Sequence, residues 1–407
     1  MANRLRENLL VSMLAAVAIA TVAWLALYGF AWNDYDSEVR PAYSALFAGH
    51  VTQFLQLAPV YGGSLILRAP FAMLPALWSG GALAVYRMAA FPCLVASAGF
   101  GVVMVARMRS RGSTRLARSL ALFLCVANPM TLPTLEVGHP EELLGAVLCV
   151  VAVWLALEDR AVWAGVVLGL AVANKEWALV AAGPVALALS HRRGVALAVA
   201  AGTAALIVAP LLAVQAIAFT ASATAVTASH ASAIFQPWQL WWFFGSHGHV
   251  VYGSFGSIKP GYRTPPAWLG TTPHLLIVVA VLPLTLLRAR LPRPREGALL
   301  LLVLLLLLRC ALDPWDTGYY TLPFLFALLA WETQARRDPA VITLAASFAT
   351  WGVMEWLPSH ASADVQALGF AALAVPALVL LGLAVYAPNL LRGTARVDGR
   401  RTLPRAA

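Results

Sequence analysis

The chain has 407 residues, 61% of them hydrophobic and 11% charged, where a soluble domain carries roughly a quarter charged. A mean hydropathy of +0.77 excludes water as the main solvent and calls for hydrocarbon, in which a helix satisfies its own backbone groups. The formal net charge of +10 does not indicate nucleic acid, because the arginines stand in short clusters between apolar runs, where they act as positive-inside markers.

These features predict an all-α, polytopic integral membrane protein of about twelve transmembrane helices forming a single domain over 1–407. The spans are expected near 8–32, 78–106, 116–133, 142–157, 161–174, 177–190, 194–220, 272–288, 297–312, 318–333, 339–357 and 366–388. The first apolar run follows Arg4 and Arg6 and, being long and without a small-residue cleavage pattern, reads as a retained helix. The clusters at 107–118, Arg160, 192–193, 288–295, 336–337 and 392–405 then fall on alternate connections, which places both termini and the basic tail 389–407 in the cytoplasm. Cys93, Cys125, Cys149 and Cys310 lie in or beside apolar runs and are expected to pack, not to cross-link.

The other connections are the expected outer segments: 33–77, 134–141, a break at 174–176, 221–271, 313–317 and 358–365. Within the first, residues 42–57 mix Tyr43, Leu46, Phe47, Phe54 and Leu57 with polar residues, as an interfacial helix would. Just before it stand Asp34, Asp36 and Glu38. Close carboxylates in a partly dry site drive their pKa values apart, so one can serve as a general base while another orients it; a solvated loop or helix cap is the plainer reading. Glu136 and His139 precede Pro140-Glu141-Glu142. The last three suit the start of a helix, with acids at its positive end, which leaves His139 and Glu136 to meet solvent or substrate.

Lysine occurs only twice among 28 basic residues, at Lys175 and Lys259, both on the outer side. Lys175, flanked by apolar helices, needs an anion: Glu176, another outer carboxylate, or a substrate phosphate. The long segment carries Trp238, Trp241 and Trp242, which suit an interfacial belt or stacking on a sugar, followed by His247, His249, Lys259 and Arg263, donors for phosphate or hydroxyls. Arg309 is expected to pair with Asp313, and Arg87, within the membrane, to face an acid across helices or a lipid phosphate. No nucleotide-binding glycine loop, nucleophile-elbow serine or large cytoplasmic domain is present, so an enzyme of the outer face needs an activated substrate delivered by the membrane.

An acidic group opening the first outer loop, followed by Ala-Tyr-x-Ala-Leu-x-Ala-Gly at 42–49, resembles the GT-C membrane glycosyltransferases, particularly glycosyltransferase family 87 with its polyprenol-phosphate-mannose-dependent mannosyltransferases. Val-Leu-Gly-Leu-Ala-Val-Ala-Asn-Lys-Glu-Trp at 167–177 is similar to that group's lysine-bearing hairpin, and the aromatic outer segment and Asp-Pro-Trp-Asp at 313–316 also fit. The resemblance implies a bacterial plasma-membrane enzyme of the cell envelope. It would move a mannose-like hexose, or a pentose, from a polyprenyl-phosphate donor to a glycan or glycolipid acceptor, with inversion and with neither metal nor cofactor.

Carried over, Asp34 would be the general base with Asp36 its rival; Lys175 with Arg263 or Lys259 would neutralise the leaving phosphate; His139 and Glu136 would position acceptor or sugar. The competing functions are a lipid or glycolipid flippase or transporter, and a ligase moving a whole glycan. The first calls for charge near mid-membrane and reachable from both sides, whereas these candidates gather at one face.

Overall fold

The computed structural model describes residues 2–27, 34–59, 61–228, 235–247, 250–252, 257–259, 261–269 and 272–391. They are almost wholly helical. Helix α1 (Ala2–Leu27) is followed by a π-helical turn (Tyr35–Val39) and three short helices, α2 (Arg40–Phe47), α3 (Val51–Leu57) and α4 (Gly62–Ala72). The bundle continues with α5 (Ala82–Ser110), α6 (Arg115–Val126), α7 (Thr131–Val137), α8 (Glu141–Leu157), α9 (Ala161–Asn174), α10 (Ala182–Ala188) and α11 (Arg193–Ala228). It closes with α12 (Thr272–Ala289), α13 (Ala298–Leu312), α14 (Leu322–Ala335), α15 (Val341–Trp351) and α16 (Ala363–Tyr386).

Among the described residues four helical stretches are long and apolar enough to cross a membrane: Ala82–Ser110, Arg115–Val137, Arg193–Gln215 and Ala363–Tyr386. Shorter apolar helices, Ala161–Asn174, Glu176–Ala188 and Pro273–Ala289, run beside them. Helix α13 is apolar on every side, as an interior helix must be, and its residues Ala298–Leu307 are buried among neighbouring helices. α9 approaches α11 through Gly165 and Gly169, where an added Cβ would fall 2.4 Å from the Ala196 carbonyl oxygen and 2.5 Å from that of Ala200. Small residues one turn apart thus let two backbones meet closely, a packing suited to a solvent that offers no hydrophobic drive between helices.

Hydrogen bonds tie alternate connections together at each end. At the arginine-rich end, Arg107 meets Glu158 at 2.5 Å, Arg295 meets Asp159 at 2.9 Å, and the Ser190 hydroxyl donates to Asp159 at 2.7 Å. The polar residues of the remaining connections collect at the opposite end.

Three expectations are corrected in detail. Residues 42–57 do not form one helix: α2 stops at a Schellman turn, with Gly49 at φ +82°, the His50 N–H donating to the Ala45 carbonyl at 2.9 Å and the Gly49 N–H to Leu46 at 2.9 Å. The all-α expectation is qualified in the long connecting segment. It holds two small antiparallel pairs, β1 (Ser246–His247) with β4 (Arg263–Thr264) and β2 (Val250–Tyr252) with β3 (Ser257–Lys259). Finally, Arg309 does not form its ion pair with Asp313: its guanidinium lies over the rings of Trp177 (4.7 Å) and Tyr320 (4.1 Å), while Asp313 Oδ1 lies 3.3 Å from His274 Nε2. All four cysteines are buried as free thiols.

Candidate active site

Four connections meet at the polar end: 34–40, 138–141, 174–177 and 318–320. Helix α7 ends on Gly138 at φ +105°, with the His139 N–H donating to the Thr134 carbonyl at 2.9 Å. A Cβ on Gly138 would stand 2.6 Å from the Tyr35 Cβ. Glycine is therefore required twice here, for its backbone conformation and for close approach, and the outcome is that His139 lies against the start of the first loop.

The His139 Nε2–H donates to Asp34 Oδ2 at 3.0 Å and its Nδ1–H to Glu141 Oε1 at 2.7 Å. The Tyr319 ring covers the imidazole, with 4.1 Å between centroids. His139 is 2% exposed and Glu141 wholly buried, whereas the Asp34 side chain is 36% exposed. Asp34 is thus held on one side and open on the other. Burial works against an imidazolium, yet the Glu141 carboxylate and the hydrogen bonds to Asp34 and Glu141 outweigh it and raise the His139 pKa to about 9.

Glu141, first residue of α8, is the hub. Besides His139 it meets Lys175 Nζ at 3.4 Å and Arg68 Nη2 at 3.2 Å. Lys175 follows the end of α9 in an extended conformation, the break expected at 174–176, and Asn174 fixes that break by donating to the Glu141 carbonyl (2.9 Å) and accepting from Ser64 (3.1 Å). The ammonium also lies 3.6 Å from Glu142 Oε1 and 3.8 Å over the Tyr61 ring. Burial opposes its charge, but Glu141 and Glu142 more than compensate, and its pKa is raised. Of the anions weighed for Lys175 from the sequence, other carboxylates, Glu141 and Glu142, are the ones within ion-pair distance.

The remaining predicted residues separate from this centre or stand at its edge. Glu38 accepts from the Tyr61 hydroxyl, whose ring touches Lys175. Asp36 pairs with Arg40 at 3.0 Å, both about half exposed. A cavity of about 330 Å³, lined by Tyr35, Arg40, Tyr43, Ser44 and Phe47 together with the start of α5, opens beside them. Glu136, half-buried at the end of α7, lies within electrostatic range of Glu355. His139 itself faces neither solvent nor an open space, contrary to its sequence reading, because Asp34 and Glu141 occupy both ring nitrogens. Arg87 sits on α5 next to Tyr86, whose hydroxyl donates to the Leu135 carbonyl.

Arg263 belongs to a second cluster. Its Nε and Nη2 form a fork on Asp364 at 2.8 and 2.9 Å, and the Trp242 Nε1–H donates to the same carboxylate at 2.7 Å. His247 stands opposite Arg263 across β1 and β4, Lys259 opposite Val250 across β2 and β3, and His249 lies outside the described residues. Trp238 is half-buried above the connection from α13 to α14. Among the described residues no three His, Cys, Asp or Glu side chains are grouped to hold a metal ion.

Sequence reasoning missed Glu141 as the hub, and missed Arg68 altogether. An arginine inside Leu-Ile-Leu-Arg-Ala-Pro-Phe was a signal for Arg68, since a charge in an apolar helix needs a buried partner. Glu141 gave none, because an acid in a first helical turn explains itself locally.

The family model for alpha-(1->6)-mannopyranosyltransferase, N-terminal domain, matches residues 77–191. The matched stretch contains His139, Glu141, Glu142 and Lys175. No curated protein and no solved structure matches the chain. The family likeness supports glycosyl transfer by a mannosyltransferase, with a sugar donor and a glycan acceptor as substrates, and the apolar helices support a membrane protein.

Proposed function

We propose that the chain is a membrane mannosyltransferase of the GT-C kind, akin to glycosyltransferase family 87, that transfers mannose from a polyprenyl-phosphate donor to a glycan or glycolipid acceptor. In this reading about twelve helices span the plasma membrane of a bacterial cell envelope, the arginine-rich end and both termini face the cytoplasm, and the Asp34 centre faces outward.

Asp34 takes the proton of an acceptor hydroxyl. The resulting oxygen attacks the anomeric carbon from the side opposite the lipid phosphate, which departs with the bonding electrons, so the configuration inverts. His139, an imidazolium fixed by Glu141, holds the carboxylate in place, a preorganisation that costs nothing at the moment of reaction. Lys175 is a positioning residue that keeps Glu141 and Glu142 compensated. Arg40, half exposed and lining the cavity next to the acidic loop, is better placed than Arg263 to meet the leaving phosphate.

The observation that carries the reading is the Asp34 carboxylate, open on one face and fixed on the other by a buried histidine–glutamate pair. Membranes containing the protein should transfer radiolabelled mannose from polyprenyl-phosphate mannose and not from a nucleotide sugar. Transfer from the nucleotide sugar alone, or from neither, would overturn it.

A further inference from the structure

Buried polar groups in folded proteins are nearly all hydrogen-bonded, and exceptions call for a cause. Here several exceptions gather in one place. The segment 236–240 runs along the connection from α13 to α14, with the Gln236 N–H donating to the Pro314 carbonyl at 3.0 Å and the Leu240 N–H to Ala311 at 2.8 Å. On these two strips and the facing His274, the buried Gln236 Oε1, Trp238 Nε1, Trp315 Nε1 and His274 Nδ1 have no hydrogen-bond partner among the described residues. Asp316 is wholly buried, and among the described residues no side chain donates to either carboxyl oxygen, the neighbouring Thr317 N–H being the donor turned toward it.

The groups are complementary in kind, indole N–H donors beside carboxyl and amide acceptors, with indole faces at hand. That is the equipment for a ligand bearing several hydroxyls on a ring with apolar faces. They also adjoin the Asp34 centre. Asp316 interacts electrostatically with Glu142, which holds Lys175, and Tyr319, three residues further on, covers His139. Burial, with Asp313 beside it, pushes the Asp316 carboxyl well above the usual carboxylate range, and its oxygens are acceptors for a ligand hydroxyl.

We propose that Asp316, Trp315, Trp238 and Gln236 form a hexose-binding subsite beside Asp34, recognising sugar hydroxyls. The proposal rests on the transferase reading for its location relative to the reacting atoms, but it makes a prediction about binding alone. An unpartnered buried carboxyl costs stability until the ligand arrives, so an apolar residue of similar shape should be neutral or stabilising in the ligand-free protein.

The test is binding of methyl α-D-mannopyranoside to the full-length protein in lipid nanodiscs, read by saturation-transfer NMR, with thermal melting in parallel. Wild type should bind the mannoside. Asp316→Leu should lose binding by about tenfold or more while melting no lower than wild type, and Trp315→Phe and Trp238→Phe, which keep the ring and delete one N–H, should each weaken binding severalfold. If Asp316→Leu does not fold, the two tryptophan variants decide. Equal binding by the folded variants, or no mannoside binding by wild type, overturns the subsite. Sugar binding that is lost in these variants while no donor supports transfer would instead retain the subsite and overturn the transferase reading.

Discussion

The two ion-paired clusters at the polar end use the same residue types to opposite effect. Around Arg263 the matching is one to one: a planar guanidinium meets one carboxylate through two bonds, and the pair anchors the long segment to the first turn of α16. Around Glu141 three cationic side chains, His139, Lys175 and Arg68, converge on one buried carboxylate, and only at Asp34 does the network reach open space. A cation already saturated by a fork is not free to meet a phosphate, whereas a carboxylate held from behind is free to take a proton. Residues grouped by sequence as one substrate-binding set therefore divide into an anchor and a centre.

That division is broken first at its hub. Glu141→Gln removes the buried carboxylate that faces Arg68 and leaves His139 and Lys175 only Asp34 and Glu142, and we expect a stability loss of about 3–5 kcal/mol, measured by denaturation of the micelle-embedded protein. A loss below about 1 kcal/mol would mean that the network is not the buried unit described.

The pH dependence is next in size. His139 has a folded pKa of about 9, above its unfolded value of 6.5. Its contribution, on the order of 3 kcal/mol, is therefore fully present below pH 6.5 and is lost as pH rises through 9. Melting temperature should fall between pH 7 and 10 in wild type, and His139→Gln should flatten that part of the profile. An equally steep fall in the variant would place the titration elsewhere.

Smaller effects sharpen the contrast. Arg263→Ala should cost about 1–2 kcal/mol of stability yet leave the transfer rate of the folded protein within about twofold, because its role is anchorage. Arg263→Lys should recover part of that stability, limited by loss of the planar fork. A large drop in rate with unchanged stability would return Arg263 to the substrate. Asp36→Asn, which breaks a half-exposed pair one turn long, should change stability by no more than about 0.5 kcal/mol.

Apolar period and arginine spacing made the helices legible, and the break at Lys175 was readable because a lone lysine between apolar runs has to find an anion. The burial of α13 was not, since a leucine run looks the same facing lipid or facing other helices. The small β pairs of two or three residues are held by context that no local pattern carries. At the centre, Asp34 and His139 were each recognisable by residue type, but their union depends on Gly138 touching Tyr35, a contact across more than a hundred residues. His139 was assigned to substrate for the same reason: spacing shows which groups an end of the bundle receives, and packing decides which of them remain open.

The most direct test of the account sets the two rival acids side by side in full-length protein, measuring initial rates of mannosyl transfer from polyprenyl-phosphate mannose for wild type, Asp34→Asn and Asp36→Asn. The account predicts a fall of about 10³-fold for Asp34→Asn and a rate within about threefold of wild type for Asp36→Asn. Near-normal transfer by Asp34→Asn with collapse in Asp36→Asn would contradict it and move the base to the exposed side of the loop.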